Sequence, residues 1–221
     1  MPLNETKTMV QCYFDGTVTE KDVSFLLLDH FGSPDWRKVH AEYLNGKITV
    51  GEFNARVFAR VTADKQTLID FLTTSGKVQV KPGLKDIVRY CADNGVGFTI
   101  VSNGLRFYIE TVLKSISLDN IEIFAAETTF TPEGMVVKYV GPDGSHNNNG
   151  FKEWHTRLYT QKGYRVIYLG NGISDLPAAR RAHHTFATGD LKQLCRENNV
   201  GYTPFEDFHD VIKGFKLLNQ G

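Results

Sequence analysis

Three short apolar runs in this chain each stop at a small polar turn bearing side chains that could do chemistry. Met9–Phe14 ends at Asp15-Gly16-Thr17, Phe98–Val101 ends at Ser102-Asn103-Gly104, and Val166–Leu169 ends at Gly170-Asn171-Gly172, with Asp175 just beyond. A carboxylate can trade protons. Backbone N–H groups ahead of a helix, as at Ser102-Asn103-Gly104, can cradle an anion. Lys152, upstream of the third run, adds a cation. Such residues act together only if the fold gathers them, which makes the surrounding elements the next question.

Each run is a strand candidate followed by a helical pattern. Leu105–Ile116 repeats apolar residues at Ile109, Val112, Leu113 and Ile116, and another helix begins at Leu176, with Pro177 tolerated in its first turn. Tyr202–Phe205 and then Phe208–Leu218 read as a last strand and helix. Strands alternating with helices imply an α/β fold with a parallel sheet. In such sheets ligands bind beyond the carboxyl ends of the strands, so the three turns are expected to face one site.

About 80 residues separate the first two strands, far more than a crossover requires, and their pattern is helical. Ser33 with Pro34 reads as a helix start, Thr49 and Glu52 as a capping box, and Thr62 as the cap of a further helix. Residues 19–78 are therefore expected to form a helical cap over the strand-edge site. Thr128–Tyr139 reads as a hairpin around Pro132-Glu133-Gly134, and Gly141–Gly150 as a polar loop, the likeliest part of the chain to move.

A strand ending in Phe14-Asp15-Gly16-Thr17-Val18-Thr19 ahead of a helical insert resembles the haloacid dehalogenase (HAD) superfamily of phosphatases, with Ser102, Lys152 and Gly170–Asp175 matching its later motifs in order. The cap resembles the phosphoserine phosphatase type. Segments such as WRKVHAEYLNGKITVGEF look closest to the methionine-salvage phosphatases that act on a methylthio-enol phosphate. The resemblance implies a Rossmann-like parallel sheet core, residues 1–18 and 79–221, with a hairpin insert at about 128–140 and a helical C1-type cap at 19–78. It implies a carboxylate that attacks phosphorus to form an aspartyl phosphate, and a second carboxylate two residues on that serves as acid and base. It implies a hydroxyl and a lysine holding the phosphoryl oxygens, and Mg2+ letting the anions approach. Asp15 falls at the acid/base position, Ser102 and Lys152 at the phosphate-holding positions, and Asn103 and Gly104 beside them. Asp22 falls where the phosphoserine phosphatase type carries an acidic cap residue touching substrate.

Two positions depart from that pattern. Tyr13 stands at the nucleophile and Asn171 at a metal-ligand aspartate, which leaves Asp15, Asn171 and Asp175 as a weakened or absent magnesium site. Three functional readings follow. The first is a phosphatase-derived protein that has lost or altered aspartyl-phosphate hydrolysis. It would bind a small phosphorylated or anionic metabolite, with Asp15 as acid/base and Tyr13 as a phenolic proton donor or nucleophile. The second is an active phosphomonoesterase altered at positions 13 and 171. The third is a non-catalytic regulatory module whose cleft is filled by Tyr13 and the apolar cap.

Composition narrows the partners. The 25 Lys and Arg balance 25 Asp and Glu, and no basic run speaks for nucleic acid or a membrane surface. No apolar run approaches a membrane span. The polar start MPLNETKT does not read as a signal peptide, so Asn4-Glu5-Thr6 is not expected to be glycosylated. Cys12, Cys91 and Cys195 read as free thiols, and the expected setting is cytoplasmic. His183-His184 point apart and read as structural, and the other histidines as surface. Oligomeric state is open, a homodimer being one option.

Overall fold

A computed structural model of the chain describes residues 7–141, 144–146 and 149–218. Asn4-Glu5-Thr6 and, within the polar stretch 141–150, Pro142, Asp143, Asn147 and Asn148 lie outside the described residues. The centre is a seven-stranded sheet. Its strands are β1 (Thr8–Cys12), β2 (Gly97–Leu105), β3 (Glu122–Thr131), β4 (Gly134–Lys138), β5 (Arg165–Gly170), β6 (His184–Ala187) and β7 (Thr203–Pro204). They lie in the order β4-β3-β2-β1-β5-β6-β7, all parallel except the β3–β4 hairpin. This is the mixed α/β, Rossmann-like architecture expected.

β1 lies between β2 and β5, with Cys12 opposite Ile100 on one side and Leu169 on the other. The chain's first, second and third turns thus leave three adjacent strands at the same edge. One detail differs from the sequence reading. Ser102-Asn103-Gly104 is not a turn but continues β2, whose pairing with β3 shifts register between Val101 and Leu105. That irregularity re-aims these three residues while keeping the strand going.

Five helices stand between β1 and β2: α1 (Val23–Phe31), α2 (Trp36–Leu44), α3 (Val50–Phe58), α4 (Lys65–Thr74) and α5 (Leu84–Asp93). The capping box forms as read, Thr49 and Glu52 each serving the other's backbone N–H. The other two caps fall two residues later than expected. Asp64 accepts from Thr67 N at 2.8 Å, taking the place assigned to Thr62, and Ser33 Oγ donates to Asp35 instead of capping α2. At α4 the Asp64 carboxylate takes an orphan helix N–H, as a cap residue should, whereas Asp35 precedes α2 without a side-chain cap bond. The chain leaves for α1 and returns through paired backbone: Glu20 N donates to Gln79 O and Lys81 N to Val18 O, both at 2.9 Å.

The remaining helices are α6 (Arg106–Ser115), α7 (Phe151–Gln161), α8 (Leu176–Ala179), α9 (Leu191–Glu197) and α10 (Phe208–Leu218), with a 3-10 turn at Ile173–Asp175. One continuous apolar cluster runs from the sheet (Val10, Ile100, Ile167) into the inserted helices (Leu27, Phe53, Leu68). The hairpin packs on α3, and Gly134, at φ +142°, lies so close to Ala59 O that any side chain would collide. Among the described residues no helix is long and apolar enough to cross a membrane.

Candidate active site

The carboxyl ends of β1, β2 and β5 and the first turn of α7 bring together Tyr13, Asp15, Ser102, Asn103, Gly104, Lys152, Asn171 and Asp175. A cavity of about 290 Å³ opens between them and α1 to α3. Tyr13, Asp15, Asp22, Asn103, Gly104 and Asn171 line it. Ser102 and Lys152 are buried behind that wall, at 0% and 1% exposure.

Asp15 is fixed from two sides: its Oδ1 accepts from Val23 N at 2.9 Å and its Oδ2 from the Tyr108 hydroxyl at 2.6 Å. Burial, and then the charge of Asp22, push its carboxyl up to about 8. Asp22 caps α1, taking the Ser24 hydroxyl at 2.5 Å and Phe25 N at 3.0 Å, and burial raises it too. Burial is the largest cause of both rises, ahead of any neighbouring charge. Ser102 Oγ accepts from Gly104 N at 2.9 Å, so that N–H is already engaged within the strand.

Lys152 is engaged on every side. Its ammonium donates to Asp175 and, at 2.7 Å, to Ser174 Oγ, and it lies 3.6 Å from the centroid of the Tyr13 ring. Burial lowers its basicity, and Asp175 opposes that effect. Tyr13 in turn is pushed up by burial and by Asp15, which keeps the phenol protonated. Asp175 is fully buried and saturated. Its Oδ1 takes Lys152 and the Tyr168 hydroxyl, and its Oδ2 takes the N–H groups of Asn171 at 3.0 Å and Gly172 at 2.8 Å. Asn171 Oδ1 accepts the Thr17 hydroxyl at 3.2 Å.

These donors do not fit magnesium. The ion needs near-octahedral oxygen ligands at short range, carboxylates foremost. Here both oxygens of Asp175 already accept hydrogen bonds, Asn171 supplies only a neutral amide whose Oδ1 takes the Thr17 hydroxyl, and Tyr13 supplies a protonated phenol, which leaves the Asp15 carbonyl short of the charged partners the ion favours. Among the described residues no three His, Cys, Asp or Glu side chains group as a metal site, and His183 and His184 form none; His184 Nε2 pairs with Thr203 Oγ1 at 2.9 Å.

Several residues of the site were not anticipated from sequence. Tyr108 sits four residues after Gly104, on the buried face of α6 with Ile109 and Val112, where its ring reads as core and its hydroxyl goes unremarked. Asn54 on α3 donates to Asn103 O at 2.8 Å and to the Tyr139 hydroxyl at 2.5 Å, and Tyr139 itself donates to Asn103 O. Three buried groups thereby tie α3, β2 and the chain leaving the hairpin. His40, read as surface, is half-buried on the cavity wall, and His155, also read as surface, is fully buried on α7.

Residues 12–180 match the family described as haloacid dehalogenase-like hydrolase. A Brevibacillus brevis protein named 2-hydroxy-3-keto-5-methylthiopentenyl-1-phosphate phosphatase is 28% identical over 218 residues, 97% of each chain. A Bacillus cereus protein of the same name is 29% identical over 95% of this chain and 96% of that one. Among solved structures, a phosphoserine phosphatase captured as a phospho-aspartyl intermediate analogue superposes with a TM-score of 0.68 at 14% identity, over 95% of this chain and 99% of that one. The phosphoserine phosphatase of T. onnurineus gives 0.69 at 15% identity over 98% of both chains. With the strand order, the three converging strand ends and a match spanning most of its length, the chain belongs to the haloacid dehalogenase-like hydrolases.

Proposed function

We propose that this protein binds a small molecule between its inserted helices and its sheet edge and has given up aspartyl-phosphate hydrolysis. The observation that carries this reading is the Tyr13–Lys152 stack at the end of β1. A phosphoryl group would need an unhindered anionic nucleophile below it and a free cation beside it. At that place stand a protonated phenol and an ammonium already shared by Asp175, Ser174 and the ring. Asp15 keeps a proton to exchange but has no nucleophile to serve. The relatives' activity, removal of phosphate from a methylthiopentenyl ester, is not what these side chains support. The open cavity argues against the regulatory-module reading, in which Tyr13 and the apolar helices would fill it. Residues 19–78 would act as the cap and residues 1–18 with 79–221 as the core, joined at the paired backbone of 18–20 and 79–81.

Hydrolysis of a generic aryl phosphate with and without magnesium tests this. The expected outcome is no turnover by the chain as it stands, and magnesium-dependent turnover by the Tyr13→Asp plus Asn171→Asp double variant. Magnesium-dependent turnover by the unaltered chain would overturn the reading.

A further inference from the structure

The sheet's amino edge, where β5 begins at Arg165 and β6 at His184, carries cations that the candidate active site does not use. A cavity of about 610 Å³ opens there, walled by Tyr164, Arg165, Arg181, His183 and Leu218. The six residues of β5 set it about 20 Å from the turn at Asn171. We propose that this second cavity binds a phosphate group, on a site separate from the one between the inserted helices and the carboxyl edge.

Charge and pairing carry the argument. The described residues lining this cavity include no Asp or Glu. The adjoining cavity of about 520 Å³, which shares His183 and adds Arg180 and His184, has none either. The chain as a whole balances its charges, so this edge holds a local excess of cation. Arg165 is its centre. The side chain is half-buried, its Nε meets no acceptor, and no ion pair among the described residues uses it. Its charge bears on both imidazoles, which burial and Arg165 together hold below their ordinary basicity. Arg181 lends its Nε to Glu153, but that pair is half-exposed and worth little. The protein thus presses cations together without supplying the anion that would relieve them. A guanidinium fork suits the oxygens of a phosphate, and a dianion answers two arginines better than a carboxylate does. Tyr164 adds a phenol to the wall. The space corresponds to roughly twenty water volumes, and Leu218 offers an apolar side to whatever carries the phosphate.

Calorimetric titration of the full chain, at neutral pH, constant ionic strength and without magnesium, uses phenyl phosphate, sodium phosphate and sodium benzoate. Phenyl phosphate is expected to bind one per chain, and benzoate at least about tenfold more weakly. Inorganic phosphate as tight as the ester would assign the site to the free ion, and a tighter ester to an organic phosphate; both support the proposal. Arg165→Gln should weaken phenyl phosphate about tenfold or more. Arg181→Gln, on an exposed side chain, should act in the same direction and serves where Arg165→Gln does not fold. Arg180→Gln, which lines only the adjoining cavity, should change the affinity less than about twofold. In histidine ring spectra the His183 resonances should move with ligand while those of His40, at the other cavity, stay. No binding to the folded parent would overturn the proposal. So would equal losses in the Arg165 and Arg180 variants, which mark a diffuse basic surface, or shifts at His40 with His183 unmoved, which place the ligand at the carboxyl edge. None of these outcomes bears on Tyr13 or Asn171, so this site and the preceding reading fail separately.

Discussion

At the scale of single residues, Gly104 shows how tightly the site is built. A Cβ added there would overlap the Tyr108 hydroxyl and stand 2.6 Å from Asp15 Oδ2. That contact leaves no room for even one methyl group, because both neighbours are hydrogen-bonded to each other and buried. Gly104→Ala should therefore cost about 1–3 kcal/mol, the range for overpacking, read as a lower urea midpoint at unchanged slope. Tyr108→Phe removes the donor to Asp15 without adding volume, and a buried acceptor that loses its partner costs about 1–3 kcal/mol. It should also raise the Asp15 carboxyl further, because that hydrogen bond lowers it. Carboxyl resonances followed across a pH titration would check this. The identities at positions 13 and 171 were legible in the sequence, as was the gathering of Asp15, Ser102 and Lys152. The stacking of Lys152 on Tyr13 was not, since nothing in a linear spacing says that a ring from β1 will lie against an ammonium from α7.

At the scale of elements, buried polar links hold the inserted helices to the sheet edge, among them Val23 N to Asp15 and the Asn54 junction. Asn54 is 5% exposed and donates to two acceptors that are themselves buried. Removing its amide leaves the Asn103 carbonyl with only the Tyr139 hydroxyl. Asn54→Ala should cost about 1–3 kcal/mol, with the loss concentrated in faster amide exchange across α1 to α3. Exchange that rises uniformly over the whole chain would show that the junction is not a local tie. The helices themselves were legible from apolar spacing and from the Thr49–Glu52 box. Two helix starts were misplaced because Asp35 and Asp64 stand close after the hydroxyl residues that looked like caps. β6 escaped notice because four residues, His184 to Ala187, are too few for a period-two pattern to declare itself. Ser102-Asn103-Gly104 looked like a turn by composition. Tertiary pairing overrode it, since Leu105 aligns with Ala126 and draws the chain on as strand.

At the scale of the whole molecule, the pH dependence of stability should expose a buried histidine that does no work at the site. His155 is fully buried, its ring 4.4 Å from that of Phe124 and 4.8 Å from that of Phe151, and neither nitrogen has a partner. Burial lowers it to about 4 from an ordinary 6.5. Between those values the unfolded chain binds a proton that the folded chain refuses, so stability is lost as pH falls from 6.5 towards 4. His40, His183 and His184 are lowered too and act with the same sign. Asp15 acts with the opposite sign: raised to about 8 from 3.8, it loses its contribution as pH climbs through that range. Groups of both signs therefore titrate together in mildly acidic solution, so the parent curve alone does not isolate any one of them. The difference between parent and His155→Leu cancels every other titration. It should show a variant that gains on the parent as pH falls from 6.5 to 4, by about 3 kcal/mol in all, and by nothing further below. Urea unfolding at a series of pH values measures that difference. A constant offset between the two proteins would mean that His155 titrates alike in the folded and unfolded chains, and that water reaches the ring where the packing of Phe124 and Phe151 excludes it.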